Sequence, residues 1–146
     1  MAQPSDHPPA SQTSMEPDER CRTYHYMRST DLVALREQCL ALVESHFKNP
    51  EVSPPWLARK LFVSRRQLDR AFSGGPGVAE ILGRRRLRQV VTMAARNPTV
   101  AMSVIAAHCG YGTYETFRSQ CHRYLQRTPR EARRDHRTVV GVELAA

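Results

Sequence analysis

The side chains best equipped for chemistry in this 146-residue chain are arginines, and they arrive in sets. Arg65, Arg66 and Arg70 flank Asp69, while Tyr114, Glu115, Thr116, Arg118 and Ser119 form a second polar group of mixed donors and acceptors. Arg84-Arg85-Arg86-Arg88 is the densest basic run, and Arg123, Arg127, Arg130, Arg133, Arg134 and Arg137 follow towards the C-terminal end. A guanidinium is a planar fork of donors that fits a phosphate, or the N7/O6 edge of guanine, in bidentate fashion. A carboxylate beside it can accept from the amino group of cytosine or fix a neighbouring arginine, so Asp69 either meets a base or orients Arg66 or Arg70. Of the 22 basic residues 20 are arginine, and residues 31–137 hold 19 bases against 9 acids, a surplus of +10 in a chain whose total is +8. Such a surplus in so small a region points to a polyanionic partner, nucleic acid before a membrane surface.

Other chemistries find less support. Cys21, Cys39, Cys109 and Cys121 form no CxxC pair. His108-Cys109 and Cys121-His122 carry zinc-ligating types, but adjacent residues on a helix point about 100° apart, and structural zinc sites use wider spacing within a ligand pair. Buried thiols are the expectation, with no metal and no cofactor. A Gly-rich phosphate loop, an HExxH helix, a nucleophile elbow and a carboxylate pair in helical context are all missing, so the chain does not read as an enzyme. No run approaches the roughly 18 apolar residues of a membrane span, and the first ten residues do not resemble a signal peptide, which leads to an expectation of a soluble, intracellular protein.

The elements that must position these arginines read as helices throughout. Residues 31–47 repeat apolar side chains at Leu32, Leu35, Cys39, Leu42, Val43 and Phe47, and Asn49-Pro50 ends the pattern. Ser53-Pro54 is a hydroxyl cap followed by proline at the first helical position, opening a helix to about Phe62. Ser64 caps the next, with Leu68, Ala71 and Phe72 inward, and Ser73-Gly74-Gly75-Pro76-Gly77 stops it. Residues 78–95 form one long helix with Ile81, Leu82, Leu87, Val90, Val91 and Ala94 inward, broken at Asn97-Pro98. A short apolar helix over 101–109, a turn at Gly110-Tyr111-Gly112, a helix over 113–125 capped by Thr113, and a basic helix opened by Thr128-Pro129 complete the reading. Residues 1–30, with four of the ten prolines, are expected to be disordered, and residues 138–146 to be a flexible tail.

Helix, tight turn, helix thus occurs twice, over about 54–73 and 101–125, on either side of the helix 78–95. In each unit the first helix is apolar and the second presents polar residues along one face, the layout in which a second helix enters the major groove. Eighteen residues span about 27 Å at 1.5 Å each, so with packing offsets the two polar helices come near one DNA repeat apart, about 34 Å.

These residues resemble the DNA-binding domain of the AraC/XylS transcription regulators. Leu57-Ala58, Ser64, Leu68, Arg70 and Phe72 match the first unit, Arg86-Leu87 the linker helix, and Ile105-Ala106, Cys109-Gly110-Tyr111, Phe117, Thr128-Pro129 and Arg133 the second. The resemblance covers roughly residues 36–134. It implies an all-α fold of about seven helices in which two helix-turn-helix subdomains share a linker helix. It also implies base contacts from Arg66, Asp69, Arg70, Tyr114, Glu115, Thr116 and Arg118. The polar and basic residues Ser64, Arg65, Thr113, Arg123 and Arg133 are expected on the DNA backbone, and Arg86 is expected inside, bridging the units. Phe62 stands where a small turn residue is usual, and Cys121, Leu125 and Gln126 where Phe, Phe and Gly are usual; Ala101 lacks a capping side chain. The implied protein is a free-standing bacterial regulator in the cytoplasm, on the nucleoid. Double-stranded DNA is its partner, RNA polymerase a further one if it activates, and one chain is expected per asymmetric site of roughly 15–20 base pairs. A helix-turn-helix adaptor that binds protein instead of DNA is the alternative.

Overall fold

The computed structural model describes residues 17–134, with side chains from residue 31 onward. Seven α-helices and one π turn make up the described chain, with no strand among the described residues: α1 Pro17–His46, α2 Pro54–Lys60, α3 Arg65–Ala71, α4 Val78–Arg96, α5 Met102–His108, α6 Tyr114–Gln120, the π turn Cys121–Leu125 and α7 Pro129–Arg134. The fold is all-α, as expected.

One boundary differs at the start. α1 begins at Pro17, so residues 17–30, expected to be disordered, are helix; residues 1–16 and the tail 138–146 lie outside the described residues. Proline suits the first turn, and Asp18 and Glu19 stand at the end where helix polarity favours negative charge. Extending a helix that is already nucleated also needs no apolar stripe, since each added residue gains a bond without repeating the nucleation cost. Residues up to Asp31 belong to a unit separate from Leu32–Ala146, within which everything below lies.

Two cores divide the molecule, and α4 serves both. Val78 and Leu82 join Cys39, Val43, Phe47, Val52, Leu57, Leu68 and Phe72 in the first core. Past Leu82 the allegiance changes: Leu87, Val90 and Ala94 pack with Ile105, Ala106, Tyr111, Phe117 and Cys121 in the second. At 3.6 residues per turn the two sets lie roughly 130° apart around the helix axis, so α4 turns one side to each core and becomes the spine of two helix-turn-helix units. Local chemistry starts the remaining helices. The Ser53 hydroxyl accepts the Trp56 N–H at 3.4 Å ahead of Pro54. At α7, Thr128 Oγ1 accepts the Glu131 N–H while Glu131 Oε2 accepts the Thr128 N–H at 2.7 Å, a reciprocal cap. The Thr128 N–H first, and second the Thr128 hydroxyl, which donates to the same Oε2 at 2.8 Å, hold the Glu131 carboxyl below its usual pKa.

Between the two cores sits Arg86, 8% exposed. Its Nε donates to the Phe47 carbonyl at 2.8 Å, and one Nη to the carbonyls of Asn49 at 2.8 Å and Val52 at 3.1 Å. The connection from α1 to α2 thereby has its carbonyls satisfied by one side chain of α4. Burial lowers the guanidinium's pKa from its ordinary value, although an arginine keeps its charge. Gly110 passes beside the same place with φ +91, and a Cβ there would stand 2.3 Å from the Phe47 carbonyl oxygen and 3.0 Å from Arg86 Nε. Only glycine fits that gap and that backbone together. One turn earlier on α4, Gly83 leaves room for Gln120, whose Oε1 accepts the Tyr111 hydroxyl at 2.9 Å.

Removing Arg86 strands three carbonyls, those of Phe47 and Val52 buried and that of Asn49 partly so. Arg86→Met is expected to destabilise the fold by about 3–5 kcal/mol in urea unfolding. Arg84→Met breaks a partly exposed pair with Glu80 and a ring contact with Tyr124, and should cost less than about 1 kcal/mol. Equal losses from the two variants would contradict this role for Arg86.

Candidate nucleic-acid interface

The first polar helix, α3, is set by a capping box. Ser64 Oγ accepts the Gln67 N–H at 3.1 Å, and Gln67 Oε1 accepts the Ser64 N–H at 3.0 Å. With both ends of that turn tied, Leu68, Ala71 and Phe72 go into the first core and Arg65, Arg66, Asp69 and Arg70 are left exposed. Residues four apart share a face, so the exposed side carries two adjacent stripes, 65 with 69 and 66 with 70. Arg65 Nε donates to both Asp69 oxygens, at 3.0 and 3.1 Å. Asp69 therefore holds Arg65, a correction to the expectation that it orients Arg66 or Arg70; the two residues are an i,i+4 pair on one face of α3. The Arg66 and Arg70 guanidinium groups make no ion pair among the described residues.

The second polar helix, α6, is capped by Thr113, whose Oγ1 accepts the Thr116 N–H at 3.2 Å and shares a 2.8 Å hydrogen bond with the Thr116 hydroxyl. Phe117 is fully buried, with the rings of Tyr111 and Tyr114 at 5.3 and 5.6 Å. Tyr114 stays 45% exposed, and Glu115, Thr116, Arg118 and Ser119 face solvent beside it. Arg118 and Glu115 approach to 3.5 Å, both largely exposed. The helix expected over 113–125 ends sooner: from Cys121 the backbone widens into a π turn, closed by Gln126 at φ +53. That wider turn keeps Cys121 fully buried while Tyr124 and Leu125 both pack on the second core. Gln126 takes the left-handed conformation at the place where glycine is usual.

The remaining arginines divide by what they touch. Arg133, expected on the DNA backbone, instead donates to the carbonyls of Pro98 (2.9 Å) and Val100, fastening the α4–α5 connection to α7. Its partners are carbonyls 33 and 35 positions away, which no local pattern in the sequence reveals. Arg85, from the densest basic run, pairs with Glu44 of α1 at 2.8 Å and lies over the Phe47 ring at 3.8 Å. Arg84, from the same run, bonds Glu80 at 2.7 Å. Arg123 is exposed, its guanidinium 5.5 Å from the Tyr124 ring. Arg137 lies outside the described residues.

The histidine–cysteine neighbours do not converge. Cys109 and Cys121 are fully buried and His108 and His122 are exposed. Burial pushes the thiols of Cys39 and Cys109 up to about 11 and that of Cys121 to about 12, so at neutral pH they are uncharged. No helix among the described residues is long and apolar enough to cross a membrane.

Comparison with known proteins agrees with this geometry. A family model described as a helix-turn-helix domain, of the AraC type, matches residues 57–135, more than half the chain. No curated protein matches. Among solved structures, a protein of unknown function from Listeria innocua is similar, with a TM-score of 0.61 over 67% of this chain and 93% of that one. At 20% identity, that likeness is one of fold. With two capped helix-turn-helix units strung on one linker helix, and a family match running from Leu57 through α7, the chain belongs to the AraC-type helix-turn-helix family of DNA-binding transcription regulators.

Proposed function

We propose that this regulator reads a specific DNA sequence by placing α3 and α6 in two successive major grooves on one face of the duplex, with a single chain to each site. The observation that carries this reading is the division among the arginines of α3. Asp69 occupies Arg65, while Arg66 and Arg70 stand exposed one helical turn apart without an ion pair among the described residues. An arginine in that state gives up nothing within the protein when it forks onto guanine N7 and O6. The spine supports a fixed spacing, because Leu68 of α3 packs in the core that holds Val78 and Leu82 and Phe117 of α6 in the core that holds Leu87, Val90 and Ala94.

The other side chains take roles that follow from their partners. The Glu115–Arg118 pair is exposed and therefore weak, so a guanine can take Arg118 while Glu115 accepts from a cytosine amino group. Tyr114 and Thr116 lie beside them on the same exposed side of α6. Ser64 accepts an amide in its cap and keeps a hydroxyl proton for a phosphate, and the Thr113–Thr116 hydroxyl pair has one to spare in the same way. Arg65, fixed by Asp69, and Arg123 meet the backbone. Arg133 has no part in DNA contact, being occupied by Pro98 and Val100.

Two measurements check this. With about 6 phosphate contacts, log K against log salt should fall with a slope near −5, and a slope shallower than about −2 would remove the DNA-binding reading. Arg66→Ala and Arg70→Ala should each cost about 1–3 kcal/mol on the selected site and relax discrimination at particular base pairs. Arg123→Ala should weaken all sequences alike. If Arg66→Ala and Arg70→Ala proved equally uniform, α3 would not be the reader.

A further inference from the structure

Phe62 joins two features that rarely occur together. Its side chain is 96% exposed, the most of any large apolar residue described, and its backbone lies in the left-handed region with φ 55. Residues with side chains avoid that region, which belongs to glycine and, less often, asparagine. The turn between α2 and α3 does not require a phenylalanine. It is closed by the Phe62 N–H on the Arg59 carbonyl at 3.2 Å and the Val63 N–H on the Ala58 carbonyl at 3.1 Å, bonds independent of the side chain. Leu61 and Val63 on either side pack against the first core, while the ring between them is left in water. The fold gains nothing from this residue, and a strained, exposed aromatic side chain at such a place points to function.

Its surroundings indicate the partner. Arg59 and Lys60 precede it and Arg65 and Arg66 follow, all exposed, so the ring is an apolar island in a strongly basic stretch. It lies two residues before Ser64, the cap of α3. The start of a reading helix is the end that meets base edges, so the turn leading into it stands at the rim of the groove, where the sugar–phosphate strand runs. That strand presents anionic oxygens with apolar deoxyribose faces between them, which matches a ring flanked in sequence by exposed cations on both sides.

We propose that Phe62 is a DNA-contacting residue whose ring packs on a deoxyribose at the rim of the groove entered by α3, the neighbouring cations taking the flanking phosphates. The inference rests on the DNA reading above and adds a contact that is neither charged nor base-specific. A sugar is common to every sequence, and a ring displaces no counterion, so the contact should act on all duplexes alike and leave the salt dependence untouched.

The test uses the full chain with Phe62→Gly, Phe62→Asn and Phe62→Tyr, titrated by fluorescence anisotropy against a selected duplex and a random-sequence duplex at several salt concentrations, with thermal melting of each free protein. Glycine and asparagine suit the left-handed backbone, so both variants should melt no lower than the parent. They should nonetheless bind every duplex about five- to thirtyfold more weakly, at an unchanged salt slope. Phe62→Tyr keeps the ring and should bind within about twofold of the parent. Undiminished binding by Phe62→Gly and Phe62→Asn overturns the proposal, as does a loss confined to one sequence, a Phe62→Tyr as weak as Phe62→Gly, or lower melting of both small variants. If those results come from a parent that still binds with a steep salt slope and still depends on Arg66, the DNA reading survives and Phe62 alone falls. A parent that lacks that slope removes both.

Discussion

Everything in this molecule that faces outward depends on one buried guanidinium. Arg86 lies where the two cores meet on α4, and its three hydrogen bonds to Phe47, Asn49 and Val52 hold the α1–α2 connection against the spine. That connection leads directly into Ser53 and so fixes where α2 starts. The second unit is set against the same point, because Gly110 touches both the Phe47 carbonyl and Arg86 Nε with no side chain between. A buried charge with one unmatched acceptor would be a liability; with its carbonyl partners in place it becomes a joint that tolerates little slack. α6 is tied to the same spine by the close approach of Gln120 to Gly83.

How legible this was depends on the range of each interaction. α4 was readable because its apolar residues recur three and four apart in two sets along 19 residues, and the caps at Ser53, Ser64, Thr113 and Thr128 because a hydroxyl reaches only two or three residues ahead. Asp69 pairing with Arg65 follows from i,i+4 spacing, which the expectation of Arg66 or Arg70 as its partner passed over. The fates of Arg85 and Arg133 were different in kind. Both are settled by groups more than 30 positions away, Glu44 and the carbonyls of Pro98 and Val100, and an arginine's neighbours in sequence say nothing about a distant carbonyl. The early start of α1 was missed for the opposite reason. Composition reports whether a segment can build a core, and a helix that merely prolongs another does not need to build one.

Arginine is thus used here in three ways that composition cannot separate. Arg86 and Arg133 satisfy carbonyls and belong to the fold. Arg65, Arg84 and Arg85 are matched to carboxylates, which fixes their direction. Arg66 and Arg70 are presented to solvent from a helix that is otherwise fully tied down, by a capping box below and by Leu68 and Phe72 behind. Rigid support under an uncommitted donor is the arrangement sequence readout needs, since little side-chain order remains to be imposed when the base arrives.

The central claim is that one chain engages two grooves through α3 and α6. Guanine-N7 methylation protection on a selected duplex, with the stoichiometry of the complex measured by sedimentation, tests it most directly. The account predicts one chain per duplex and two clusters of protected guanines about 10–10.5 base pairs apart on the same face, with the cluster under α3 lost in Arg66→Ala and the other retained. A single cluster, or two chains protecting an inverted repeat, would contradict it.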